Sequence, residues 1–123
     1  MNFRETLGRH LLAIDPRDHE TLAATLADPL VLIMADGQLK RSKAEFVDAH
    51  RGWFAMKDWT LQAKPVEIYE GRSLGIAVLH LDYRENGKQS LSYLTLVFEN
   101  RDGEWLMVQD QNTPIKHNSG SGS

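Results

Sequence analysis

A chain of 123 residues with 41% hydrophobic and 25% charged side chains has the composition of one soluble globular domain, long enough to bury a real core. Lys and Arg number 14 against 17 Asp and Glu, and the net charge of −3 gives nucleic acid or an anionic membrane surface no electrostatic footing. Cysteine is absent, which excludes disulfides, thiolate zinc sites and Cys nucleophiles, and no apolar run approaches the ~20 residues of a membrane span.

In chain order, Phe3, Leu7, Leu11 and Ile14 follow helical spacing and predict a first helix over about residues 2 to 14. The start, Met1-Asn2-Phe3-Arg4-Glu5, lacks the apolar segment of a signal peptide, so a cytoplasmic protein is the expectation. Asp15 and Pro16 suit the cap and first position of a second helix carrying Leu22, Ala23 and Leu26 and ending before Asp28-Pro29. Leu30 to Met34 reads as a short apolar strand that turns at Ala35-Asp36-Gly37. Ser42 and Glu45 form a capping box for a third helix carrying Phe46, Ala49 and Trp53.

From Trp59 to Asn112 the chain reads as four long strands joined at residues 70–73, 85–88 and 100–104. Asn86-Gly87 and Asp102-Gly103 suit two-residue hairpin loops, whose central residues need positive φ. Such loops set register. His80 is then opposite Tyr93, Val78 opposite Thr95, Thr95 opposite Asp110 and Tyr93 opposite Asn112. A three-residue loop around Asp102 would instead flip the last strand and exchange Asp110 for Gln109 and Gln111. The single domain spans residues 1–116. Residues 117–123, rich in Ser and Gly, read as a flexible tail left by a tag or linker.

Helices followed by an antiparallel meander make the fold class α+β. One face of the predicted sheet holds Ile76, Val78, His80, Tyr93, Thr95, Val97, Val108, Asp110 and Asn112, and its apolar walls and converging polar groups suit a ligand pocket. The opposite face holds Leu79, Leu81, Leu94, Leu96 and Phe98, too apolar to be left in water, and reads as the outer face through which a homodimer forms.

Leu26-Ala27-Asp28-Pro29, Ala35-Asp36-Gly37, Ser42-Lys43-Ala44-Glu45-Phe46, Ile76-Ala77-Val78 and Arg101-Asp102-Gly103-Glu104-Trp105 together resemble the nuclear transport factor 2-like superfamily, in its SnoaL-like and ketosteroid-isomerase-like branch. The resemblance covers nearly the whole chain to about Pro114. It implies a cone: a strongly bent, mostly antiparallel sheet with three helices on its concave face, a conical pocket and frequent dimers through the outer face. It also implies positions for the ketosteroid isomerase machinery. The general base falls on Met34, the oxyanion-hole acid on Thr95 and the tyrosine donor on His10. A thioether cannot shuttle a proton, so Met34 argues against ketosteroid isomerase activity.

Two residues are candidates for catalysis. His80, paired with Tyr93, has the reach of a general acid or base, against the plainer reading of a satisfied sheet histidine. Asp110, desolvated beside Thr95, would have a raised pKa useful for proton transfer, or else is a structural hydrogen-bonding carboxylate. The ligand-binding candidates are His10, Met34, Trp53, Trp59, Val78, Tyr93, Thr95 and Asn112; for His10 and the tryptophans the alternative is ordinary packing. No metal motif or phosphate loop stands out, and no cofactor is expected. The functional expectation is a domain that binds a small hydrophobic, weakly polar molecule. The alternative is a cofactor-free isomerase, dehydratase or cyclase using Asp110 and His80.

Overall fold

The computed structural model describes residues 1–116; the expected tail at 117–123 lies outside the described residues. Helix α1 spans Phe3–Leu12, α2 His19–Ala24 and α3 Lys43–Ala55; the strands are β1 Leu26–Ile33, β2 Leu39–Lys40, β3 Trp59–Glu70, β4 Leu74–Glu85, β5 Lys88–Arg101 and β6 Glu104–Pro114. They form one sheet of order β2-β1-β6-β5-β4-β3. Every pairing is antiparallel except β1 with β6. The fold is the expected α+β cone.

Helix α1 starts at a capping box. The Asn2 side chain accepts from Glu5 N, and the Glu5 carboxylate accepts from Asn2 N. Helix α2 is shorter than predicted and starts later, because Asp18 rather than Asp15 caps it by accepting from Thr21 N at 3.1 Å. Residues 13–17 make a turn in which Arg17 adopts a left-handed φ of 56°. Leu26, expected on α2, already belongs to β1. Ser42 caps α3 as predicted, accepting from Glu45 N.

Both hairpins turn as their sequences predict. Asn86 and Gly87 have φ of 51° and 79°, and Asp102 and Gly103 have 53° and 89°. The β4–β5 register is the predicted one, with His80 opposite Tyr93 and Val78 opposite Thr95. The β5–β6 register holds as far as Phe98 opposite Met107 and then slips. Val97 pairs with Gln109, so Val108 is an extra residue bulged out of the ladder.

That bulge reverses the facing of β6 beyond it. Asp110 is opposite Leu96, not Thr95, and Asn112 is opposite Leu94, not Tyr93. The expected assignment of faces is also inverted. Ala77, Leu79, Leu81, Leu94, Leu96 and Phe98 are the buried, helix-covered face rather than an outer one. Phe3, Leu7, Leu22, Phe46 and Phe54 supply the helical side of this core. The physical reason is burial: the more apolar face takes the helices, since that removes the most apolar area from water. Gly75 lets this layer close, because a Cβ there would lie 2.7 Å from the Phe3 ring.

Candidate functional site

The sheet's interior face is almost wholly apolar, and Asp110 interrupts it. Its β6 backbone lies between Leu96 on β5 and Leu32 on β1, both buried. The side chain is 5% exposed, and desolvation pushes its carboxyl up from the ordinary 3.8 to about 7. Desolvation is the sole cause: no hydrogen bond or ion pair among the described residues offsets it.

Asn112, two residues on, projects from the same face opposite Leu94. Its Oδ1 is buried without a partner. A native interior rarely leaves such groups unsatisfied, and each costs on the order of 1–3 kcal/mol. Asp110 and Asn112 therefore form a polar spot within the cone, and a ligand hydroxyl, accepting from the protonated Asp110 and donating to Asn112 Oδ1, can satisfy both. A carboxyl that titrates near neutrality can also give up or take a proton there.

The structure does not bring the other catalytic candidate to this spot. His80, Tyr93, Thr95 and Val78 lie on the opposite, outer face of the sheet. Tyr93 is 43% exposed, and His80 meets it edge-on with ring centroids 5.7 Å apart. The expected pairing of His80 with Asp110 fails because the sheet lies between them. Ile76, Val97 and Val108 likewise cannot wall a cavity around Asp110.

His10 is buried, but as a packed core histidine. Its Nδ1 is 2.8 Å from Thr25 Oγ1, and that hydroxyl spends its own proton on Leu22 O at 2.6 Å. His10 Nδ1 is thus the donor of the pair. Burial, with a smaller effect from His50, lowers its pKa from 6.5 to about 3, so the ring is neutral. The Phe46 ring packs against both imidazoles, stacked on His50 at 4.1 Å and edge-on to His10 at 6.3 Å.

Met34 follows β1, half-buried against the core, and its amide donates to Gln38 O in the turn. Trp53 and Trp59 stack on each other at 4.2 Å, and Trp53 Nε1 donates to the Tyr83 hydroxyl, which donates to Glu85. The Arg17 guanidinium lies on Trp59, 3.8 Å from the ring centroid. Sequence reasoning missed this contact, for nothing in Arg17 itself marks a left-handed residue.

An opening of about 340 Å³ lies between the end of α1 and β3, lined by Leu11, Leu12, Ile14, Asp15, Leu61, Gln62 and Ala63. Among the described residues no group of three or more His, Asp or Glu could hold a metal ion. No helix among them is long and apolar enough to cross a membrane.

Similar folds occur in solved structures of low sequence identity. A Thiobacillus denitrificans protein provisionally named a calcium/calmodulin-dependent protein kinase type II association domain superposes with a TM-score of 0.81 at 18% identity, over 94% of this chain and 96% of that one. A Streptomyces avermitilis protein provisionally named a dehydratase of the nuclear transport factor 2-like family gives 0.80 at 12% identity, over 91% and 92%. A Shewanella frigidimarina protein provisionally named a ketosteroid isomerase gives 0.76 at 19% identity, over 89% and 92%. No curated protein matches the chain significantly. At these identities the structures establish a shared nuclear transport factor 2-like fold, while the family model of the SnoaL-like domain matches residues 4–114. The chain belongs to the SnoaL-like domain family.

Proposed function

We propose that the protein takes a small hydrophobic, weakly polar molecule into the cone and that Asp110 exchanges a proton with it, in a cofactor-free isomerase, dehydratase or cyclase reaction. The observation that carries this reading is the Asp110 carboxyl, buried without a partner and raised to about 7. Its burial works against folding at neutral pH, and a proton-transfer role gives that burden a use. Asn112 Oδ1 would accept a hydrogen bond from the ligand and orient it. The apolar surroundings favour a ring system with one or two oxygens over a sugar or nucleotide.

One observation favours a noncatalytic binding domain instead. Met34 occupies the position that the family resemblance gives to the base, and His10 is neutral and tied to Thr25, so neither serves as a second acid–base group beside Asp110. A thermal-shift screen of aromatic hydroxy and carbonyl compounds against wild type, Asp110→Asn and Asn112→Leu separates the readings. Binding with turnover that Asp110→Asn abolishes supports the enzyme. Binding that survives with no turnover in wild type supports the binding domain, and binding indifferent to both substitutions removes the site.

The outer face gives a second proposal, that two copies pair through it. Ile76 and Tyr93 are 36% and 43% exposed there, next to Val78 and Val97 in the same ladder. A second copy would cover this apolar surface and leave the Asp110 side untouched.

A further inference from the structure

Asp110 itself is closed off. It is 5% exposed, and Leu96 opposite it and Leu94 opposite Asn112 are buried, so a ligand reaches the carboxyl only if part of the lining moves. Interior-facing pairs on the sheet locate the way in. Ala63 pairs with Leu81, Pro65 with Leu79, and Ile68 with Ala77. Across β5 and β6 the row through Leu79 continues to Leu94 and Asn112, and the row through Ala77 to Leu96 and Asp110. Along the strands the opening at Ala63 is one row from Asn112 and two from Asp110, and across the sheet it is three strands from β6. Its walls, Leu11, Ile14, Leu61 and Ala63, are continuous with the core. A second groove, about 250 Å³ at Thr60, Arg84 and Gly87, lies among exposed strand and hairpin residues.

One lip of the opening is the turn Asp15–Arg17, set between the buried core residues Ala13 and Ile14 and the α2 cap Asp18, and the Arg17 side chain is its link to β3. Arg17 Nη2 donates to Trp59 O at 3.2 Å and Nη1 to Asp15 O at 2.7 Å, with the guanidinium carbon over the Trp59 ring. Trp59 is a fixed anchor, since it stacks on Trp53 and its Nε1 donates to Trp53 O at 3.0 Å. Arg17 is also strained: a non-glycine residue at φ 56° is disfavoured by about 1 kcal/mol. Leu12 stands 77% exposed on the same rim, an apolar side chain left where a ligand would pass.

We propose that the turn Asp15–Arg17 is a movable lip admitting a neutral apolar ligand between α1 and β3, with the Arg17–Trp59 contact as its latch. The proposal rests on reading Asp110 as the destination. Release of the guanidinium frees the segment from β3, and relief of the Arg17 backbone offsets part of the lost stacking. Apart from Asp15 and Gln62 the lining of the opening is apolar, which suits an uncharged molecule.

The test is stopped-flow fluorescence with 2-naphthol, a neutral aromatic bearing one hydroxyl. Arg17→Asn and Arg17→Gly both suit the left-handed backbone, so either deletes the latch without unfolding the turn. Each is expected to raise the association rate at least fivefold, Arg17→Lys less than twofold, and Ala63→Trp to abolish the gain in the Arg17→Asn background. An Arg17→Asn rate within twofold of wild type overturns the lip. So does a gain that persists with Ala63→Trp, and so does an absence of saturable binding in every variant. Asp110→Asn is measured in parallel and should change affinity while leaving the association rate alone. If Asp110→Asn leaves affinity unchanged while the Arg17 and Ala63 effects appear, the lip stands and the Asp110 reading falls; the reverse pattern removes the lip alone.

Discussion

Leu96 and Asp110 are paired across β5 and β6 on the helix-covered face of the sheet, so a carboxyl is seated among leucines with no partner for its charge. Below its unfolded pKa of 3.8, Asp110 is protonated in both states and has no effect on stability. As pH rises from 3.8 to about 7 the unfolded chain loses the proton while the folded chain keeps it. Stability falls through that window and levels off above it, by about 4 kcal/mol in all at 1.36 kcal/mol per pKa unit. Asp110→Asn removes the ionisation, so it should stabilise the protein by roughly 1–3 kcal/mol at pH 8 and by little at pH 4. Urea melts at the two pH values check this, and a loss of stability at pH 8 contradicts it.

His10 predicts the opposite limb. Its folded pKa of about 3 is below the unfolded 6.5, so its contribution is present above 6.5 and is lost as pH falls toward 3. His10→Gln, which can still donate to Thr25 Oγ1, should flatten the acid limb of a stability profile measured from pH 7 to 3.5. An unchanged slope would place the proton uptake elsewhere.

How far the sequence could be read follows from these two residues. The turns were legible because Asn86-Gly87 and Asp102-Gly103 have local chemistry that demands positive φ, and β4–β5 register follows from the first of them. The bulge at Val108 was not. Val97 and Val108 are ordinary strand residues, and no glycine marks the extra position. The side taken by the helices was also illegible, because alternation separates two faces without saying which one is covered. Burial of the Asp110 carboxyl is legible from its place on the strand, its neighbours are not because of the bulge, and His10 reads as a helix-edge residue because its partner Thr25 is 15 residues away in sequence.

Face assignment can be tested by charge insertion. Tyr93→Glu or Ile76→Glu should leave the fold intact and convert a dimer to a monomer in sedimentation at tens of micromolar. Leu96→Glu should unfold the chain, since an unpaired charge at a fully buried site exceeds the stability of a small domain. A wild type that sediments as a strict monomer would remove the dimer proposal and leave the face assignment standing. A folded Leu96→Glu would contradict that assignment.

Gly75 carries a packing prediction. With the Phe3 ring 2.7 Å from where a Cβ would stand, Gly75→Ala must displace that ring from its contacts with Phe98 and Trp105, at 5.4 and 5.6 Å between centroids. Overpacking of this kind costs about 1–3 kcal/mol. Chemical denaturation should find that loss, and Phe3→Leu should recover part of it in the double variant.

The central claim is that Asp110 holds its proton near neutral pH inside the cone. Carbon-13 NMR of the Asp110 carboxyl, titrated from pH 3 to 9 in the folded protein and assigned with Asp110→Asn, tests it directly. A midpoint near 7 is the predicted result. A midpoint in the ordinary carboxylate range, near 3.8, would contradict the account.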